Sequence, residues 1–148
     1  MDIAIRYHSR AGHTKKLAEV IGEATGAEAL TVDVPIDRHV DILFIGASLY
    51  YEGIYSGMKD FIRSLHPDMV GKVYIFSTTC MTEYAYPELY RALRKQGLKV
   101  ADENFRCWSE YNGFYVGKPD ETDLENARQF AITAIEKETG NGKDDQHL

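Results

Sequence analysis

The sequence predicts an α/β protein, with five parallel strands in the order 2-1-3-4-5 and helices on both faces of the sheet, a three-layer sandwich. Two observations carry this. Strand-length apolar runs alternate with segments of helical period five times along the chain. The runs also differ in kind: ILFI (residues 42–45) and VYIF (residues 73–76) are continuously apolar, as in strands covered on both faces, whereas LTVDV (residues 30–34) and LKV (residues 98–100) alternate. Putting the second and fifth strands at the edges gives a doubly wound sheet. Such a sheet binds ligands at the carboxyl ends of its strands, near the switch point between the first and third.

The elements follow in turn. IAI (residues 3–5) opens the sheet, and Leu17, Val20, Ile21 and Ala24 then keep helical spacing. After the second and third strands, Met58, Phe61, Ile62 and Leu65 mark a second helix; Leu89 and Leu93 mark a third after the fourth strand. Beyond the fifth strand, Leu124, Ala127, Ala131, Ala134 and Ile135 share one helical face. That helix is expected to open at Thr122 and Glu125, a T-x-x-E capping box following Pro119. From Gly140 the sequence GNGKDDQHL has nothing to bury, so one domain over residues 1–138 and a flexible tail over residues 139–148 are expected.

At 148 residues the chain suits one well-buried domain. Its net charge of −6 argues against a nucleic-acid partner. No apolar stretch is long enough to span a bilayer and no secretory or basic leader opens the sequence, so a cytoplasmic protein without membrane association is expected. Cys80 and Cys107 form no C-x-x-C, and the five histidines show no ligand-like spacing, so neither a disulfide framework nor a metal is expected.

The join between the first strand and first helix reads HSRAGHT, residues 8–14. If a helix starts at His13 or Thr14, its first N–H groups and its dipole favour an anion in the loop. Ser9 and Thr14 add hydroxyls, Gly12 lets the backbone approach closely, and Arg10 adds a cation. A phosphate suits this loop; so does a plain helix cap with a glycine turn. The sequence lacks G-x-x-x-x-G-K-[ST] and G-x-G-x-x-G, although Asp33 stands where a ribose-binding acid sits in dinucleotide folds. A phospho-accepting receiver domain is excluded, because Tyr7-His8 and Gly46 occupy the positions of its acids.

The same loop resembles the phosphate loop of the flavodoxin family, roughly [ST]-x-T-G-x-T. Ser9, Gly12 and Thr14 match, Ala11 replaces the middle hydroxyl, and His13 replaces a commoner asparagine. Strand and helix order, length and the closing KPDETDLENARQFA extend the resemblance from residue 3 to about residue 135. It implies bound FMN and a role as a small electron carrier between redox partner proteins, a reductase and an acceptor.

Two further loops should emerge beside it, GASLYYEGIYSG (residues 46–57) and STTCMTEYAY (residues 77–86). A flavin ring needs flat aromatic walls and backbone groups at its polar edge. Tyr50, Tyr51, Tyr55, Tyr84 and Tyr86 cluster there, although for any single one of them packing at the rim or under a loop is a commoner role than stacking on a ligand. The resemblance implies a cofactor site of Ser9, Arg10, Ala11, Gly12, His13 and Thr14 with Ser48, Leu49, Tyr50 and Tyr51, and with Thr78, Thr79, Cys80 and Met81. Tyr50 matches the family's aromatic wall, while Tyr51 stands where a glycine is frequent, with Gly53 displaced. No catalytic side chain is required, since the flavin carries the chemistry.

Glu52 and Glu83 would lower the flavin potential, with Arg10 opposing them, and the acidic surface would steer the protein toward basic patches on partners. A redox-active Cys80/Cys107 pair is conceivable on this topology, against the commoner state of free cysteine as a small hydrophobe. GASLYYEG is also similar to the equivalent loop of quinone-linked protoporphyrinogen oxidases, which makes an FMN-dependent oxidoreductase the alternative. Ala11 and Tyr51 leave a third, a flavodoxin-shaped module that has lost FMN.

Overall fold

The computed structural model describes residues 1–48, 54–80 and 85–146. Five parallel strands, β1 (Ile3–Tyr7), β2 (Ala29–Thr31), β3 (Val40–Ser48), β4 (Val70–Thr79) and β5 (Val100–Trp108), form one sheet in the expected order β2-β1-β3-β4-β5. The helices are α1 (His13–Thr25), α2 (Ser56–Ser64), α3 (Tyr86–Lys95) and α4 (Glu121–Gln146). None among the described residues is long and apolar enough to cross a membrane.

Side chains alternate between the two faces of each strand, so every crossover helix finds an apolar surface waiting. Leu43, Ile45, Val73 and Ile75 face α2 and α3, packing on Met58, Phe61, Ile62, Leu89 and Leu93. Ile5, Ile42, Phe44, Tyr74 and Phe76 face α1 and α4, packing on Leu17, Ile21, Ala127 and Ala131. The small residues on α4 let it lie close to Phe44, Tyr74 and Phe105, whose rings contact Phe130. Tyr74 also donates a 2.5 Å hydrogen bond to Glu138, and its burial together with that carboxylate raises the phenol pKa.

Two strands differ from expectation. The second ends at Thr31, because Val34 N–H turns back to the Thr31 carbonyl and the buried Arg6 guanidinium binds the carbonyls of Val34 (2.7 Å) and Pro35 (3.2 Å). Val32 N–H still reaches the Tyr7 carbonyl of β1 at 3.0 Å, and from residue 33 the chain leaves the sheet in a turn that Arg6 holds with charge-assisted donors. The fifth begins at Val100, not Leu98, and runs nine residues. Leu98 instead closes α3, its N–H bonding to the Leu93 carbonyl after the left-handed Gly97. The polar run DENFR belongs to the strand because β5 is an edge with one face open to solvent.

The start of α4 also moves. Asp120 Oδ1 accepts from Asp123 N–H and Asp123 Oδ2 accepts from Asp120 N–H, both at 2.9 Å. This reciprocal cap precedes the expected Thr122/Glu125 box, and two short carboxylates replace hydroxyl and glutamate. The proposed tail falls on the last turns of α4, whose backbone is helical to Gln146.

Candidate functional site

The carboxyl ends of β1, β3 and β4 lie side by side, with Tyr7 paired to Gly46 and Ser48 to Thr78. Gly46 is required here: a Cβ would fall 2.1 Å from the Phe76 ring. Beyond β1 the chain makes a short loop in which Gly12 N–H donates to Ser9 Oγ at 3.0 Å, and Gly12 adopts φ 89°, the left-handed region that favours glycine. The first N–H of α1 with a helical partner is that of Lys16, 3.2 Å from the Gly12 carbonyl. The N–H groups of His13, Thr14 and Lys15 therefore face the loop, as at any helix start. No acidic residue occupies this first turn.

Below the loop three hydroxyls close into a ring. Thr14 Oγ1 lies 2.8 Å from Ser48 Oγ and 2.9 Å from Thr78 Oγ1, and the last two are 2.7 Å apart. Thr14 and Thr78 are fully buried. The three residues come from the three segments selected in the sequence, so the structure brings those segments to one point at the sheet's edge. It also turns the Thr14 side chain toward the strand ends.

The other expected residues fall around this ring. Arg10 and Ala11 are exposed, Ser9, Gly12 and His13 half-buried. Thr79 is buried, and its carbonyl accepts from Ser109 N–H at 2.9 Å, tying the end of β4 to β5; Cys80 follows, half-buried. Leu49, Tyr50, Tyr51 and Met81 lie outside the described residues, as do Tyr84, Glu52, Gly53 and Glu83. Of the clustered tyrosines, Tyr86 is engaged elsewhere: its hydroxyl reaches the carbonyls of Ala101 and Asp102 on β5.

Two polar atoms are left over. His13 Nδ1 and Ser77 Oγ are buried with no hydrogen-bond partner among the described residues. An unpaired buried nitrogen in the first turn of α1, next to three N–H groups without helical partners, fits an incoming anionic or hydrogen-bonding group.

Two features outside the expected set belong to the same edge. His8 stacks on Tyr55 with ring centroids 3.8 Å apart and planes 12° from parallel, joining the loop after β1 to the start of α2. Burial, and secondarily the nearby Arg10 charge, lower the His8 pKa, with Asp33 opposing. After β5, Asn112 and Gly113 make a tight turn in which Tyr111 and Phe114 exchange backbone hydrogen bonds, and Trp108 stacks on Tyr115 at 4.4 Å. The dipeptide Asn-Gly between aromatic residues was the available signal for that hairpin.

Cys107 is paired across the sheet with Thr78 and buried among residues of the α1/α4 face. Burial, followed by the charge of Asp123, pushes its thiol up to about 12. Both cysteines are free thiols.

The family model for the flavodoxin domain matches residues 4–146. Among solved structures, the chain is similar to a flavodoxin from the domain Archaea, with 21% identity over 94% of this chain and 99% of that one and a TM-score of 0.77. It is similar also to oxidised flavodoxin 2 from Bacillus cereus, with 18% identity over 93% and 99% and a TM-score of 0.70. Rubredoxin oxygen:oxidoreductase from Desulfovibrio gigas aligns at 16% identity and a TM-score of 0.72 over 93% of this chain but 36% of its own. No curated protein matches. The likenesses to solved structures concern the fold; the family model, spanning nearly the whole sequence, shows that the chain belongs to the flavodoxin family.

Proposed function

We propose that this protein binds FMN and serves as a small electron-transfer carrier. Members of its family bind flavin, usually FMN. The observation that carries the reading for this chain is the start of α1, where three first-turn N–H groups and a left-handed Gly12 meet one loop, and where His13 Nδ1 is buried without a partner among the described residues.

The residues fit a phosphate. His13, Thr14 and Lys15 supply backbone donors at the positive end of a helix, and Ser9 supplies a hydroxyl. Arg10 adds a charge that can pair with the dianion. Ser48, Thr78 and Thr79 bring the ends of β3 and β4 to the same place. Tyr50, Tyr51 and Tyr84 are proposed as the aromatic surroundings of the ring. FMN supplies one- and two-electron redox chemistry when bound, while the protein fixes its position and surroundings.

Carrier and stand-alone oxidoreductase differ in what they need. The FMN-loaded protein, reduced chemically under anaerobic conditions, is expected to pass electrons to a heme acceptor protein in stopped flow. With NAD(P)H and a quinone but no reductase, it is expected to show no steady turnover. Sustained turnover in that second mixture would overturn the carrier reading in favour of an FMN-dependent oxidoreductase.

A further inference from the structure

The charge of this protein is divided between its two helical layers. α2 and α3 carry Lys59, Arg63, Arg91, Arg94 and Lys95 against Asp60 and Glu88, a net of +3 in a chain whose total is −6. Across the sheet, the sequence of α4 holds seven carboxylates against three cations, and α1 is balanced. A helix is about 10–12 Å across, so the two layers are separated by more than the Debye length of about 8 Å at physiological salt. A molecule approaching α2 and α3 therefore meets a basic surface on an acidic protein.

That surface contains a groove of about 410 Å³ between the two helices. Lys59, Arg63 and Lys95 line it with Glu88, over Ile54, Ile62, Leu89 and Ala92. Gln96 Nε2 closes one end by donating to the carbonyls of Arg63 and Leu65. Lys59 reaches Glu88 across the groove at 3.8 Å and Arg63 pairs with Asp60 at 2.7 Å, both pairs exposed to solvent. Among the described residues no carboxylate pairs with Arg91, Arg94 or Lys95, although Arg94 lies over the Tyr90 ring.

The folded chain gains little from this arrangement beyond the favourable placement of Arg63, Arg94 and Lys95 in the last turns of their helices. Lys59 and Arg63 are four residues apart on one helix, as are Arg91 and Lys95 on the other, and like charges at that spacing repel by a few tenths of a kcal/mol per pair. Each exposed ion pair returns only about as much. An external anion would offset the repulsion.

We propose that the α2/α3 groove docks an acidic segment of a protein partner, whose carboxylates meet Lys59, Arg63 and Lys95 while an apolar side chain seats between the helices. The inference goes beyond flavin binding and does not depend on it. It differs from the expectation drawn from net charge, that partners present basic patches, in assigning an acidic partner to this one face.

The test uses the whole protein and a short fluorescent peptide alternating glutamate and leucine, with its glutamine counterpart as control. Binding of the glutamate peptide is expected, weakening with added salt, with amide shifts confined to residues 54–65 and 86–97. Reversing three charges (K59E, R63E, K95E) should weaken binding about tenfold or more with the thermal midpoint retained. If that variant fails to fold, the glutamine versions of the same three positions serve instead.

Equal binding of the glutamine peptide, shifts elsewhere on the protein, insensitivity to the substitutions, or no binding at millimolar peptide would each overturn the proposal. So would tighter binding of a poly-thymidine oligonucleotide of matched charge, which would mark a general polyanion surface.

Discussion

Thr14 Oγ1, in the first turn of α1, lies 2.9 Å from Thr78 Oγ1 at the end of β4, and both residues are fully buried. With Ser48 they tie the start of the helix to two strand ends. Thr14→Val keeps the shape but, among the described residues, leaves the Ser48 and Thr78 hydroxyls with only each other. A loss of about 1–2 kcal/mol in urea unfolding is expected, the cost of impairing a buried hydrogen-bonded group. Thr14→Ser should retain most of the stability.

Gly12→Ala separates conformation from space. An added Cβ meets nothing within 4 Å, yet φ is 89°. The penalty is therefore backbone strain alone, about 1–2 kcal/mol for a side chain in the left-handed region. If the loop relaxes to relieve it, the N–H groups of α1 lose their alignment and FMN affinity should fall more than stability does. Parallel flavin titration and denaturation measure the two effects.

His8 is held toward its neutral form by burial and by Arg10. Because the folded pKa lies below the ordinary value of 6.5, the unfolded chain takes up the proton first as pH falls. Stability linked to His8 is thus intact above pH 6.5 and is lost as pH drops from there through the folded value. His8→Phe preserves a ring against Tyr55 and removes the titration. Thermal unfolding from pH 7.5 to 5 should show a shallower decline for the variant than for the parent.

Cys107, buried with its thiol pushed up to about 12, has almost no thiolate at neutral pH. Iodoacetamide at pH 8 is expected to modify the half-exposed Cys80 first, with Cys107 reacting only in denaturant. Mass spectrometry of timed samples reads the order, and simultaneous labelling of the native protein would contradict it.

The sheet order was legible because ILFI and VYIF have no polar face to turn to water, which forces β3 and β4 inside. The edge strands were harder to read. β2 is cut short by Arg6, whose partners lie 28 and 29 residues away, and nothing local in LTVDV encodes that contact. In β5 the polar DENFR run masks strand structure, because a solvent-facing edge needs apolar residues on one side only. For the site, Ser9, Gly12 and Thr14 could be selected from the loop after β1, since a glycine between hydroxyls at a strand-to-helix join has a local meaning. The inward turn of Thr14 could not, because it depends on Ser48 and Thr78, brought alongside only by the parallel register. His8 on Tyr55 is hidden for the same reason.

The most direct test of the central claim is a parallel titration of the apoprotein with FMN and riboflavin, followed by flavin fluorescence. Both share the ring and differ in the phosphate. Tight FMN binding with riboflavin weaker by a hundredfold or more, about 2.7 kcal/mol, is the predicted result and would show that the protein recognises the phosphate, as the start of α1 is proposed to do. Equal binding of the two, or binding of neither, would contradict it and leave the HSRAGHT loop as a helix cap.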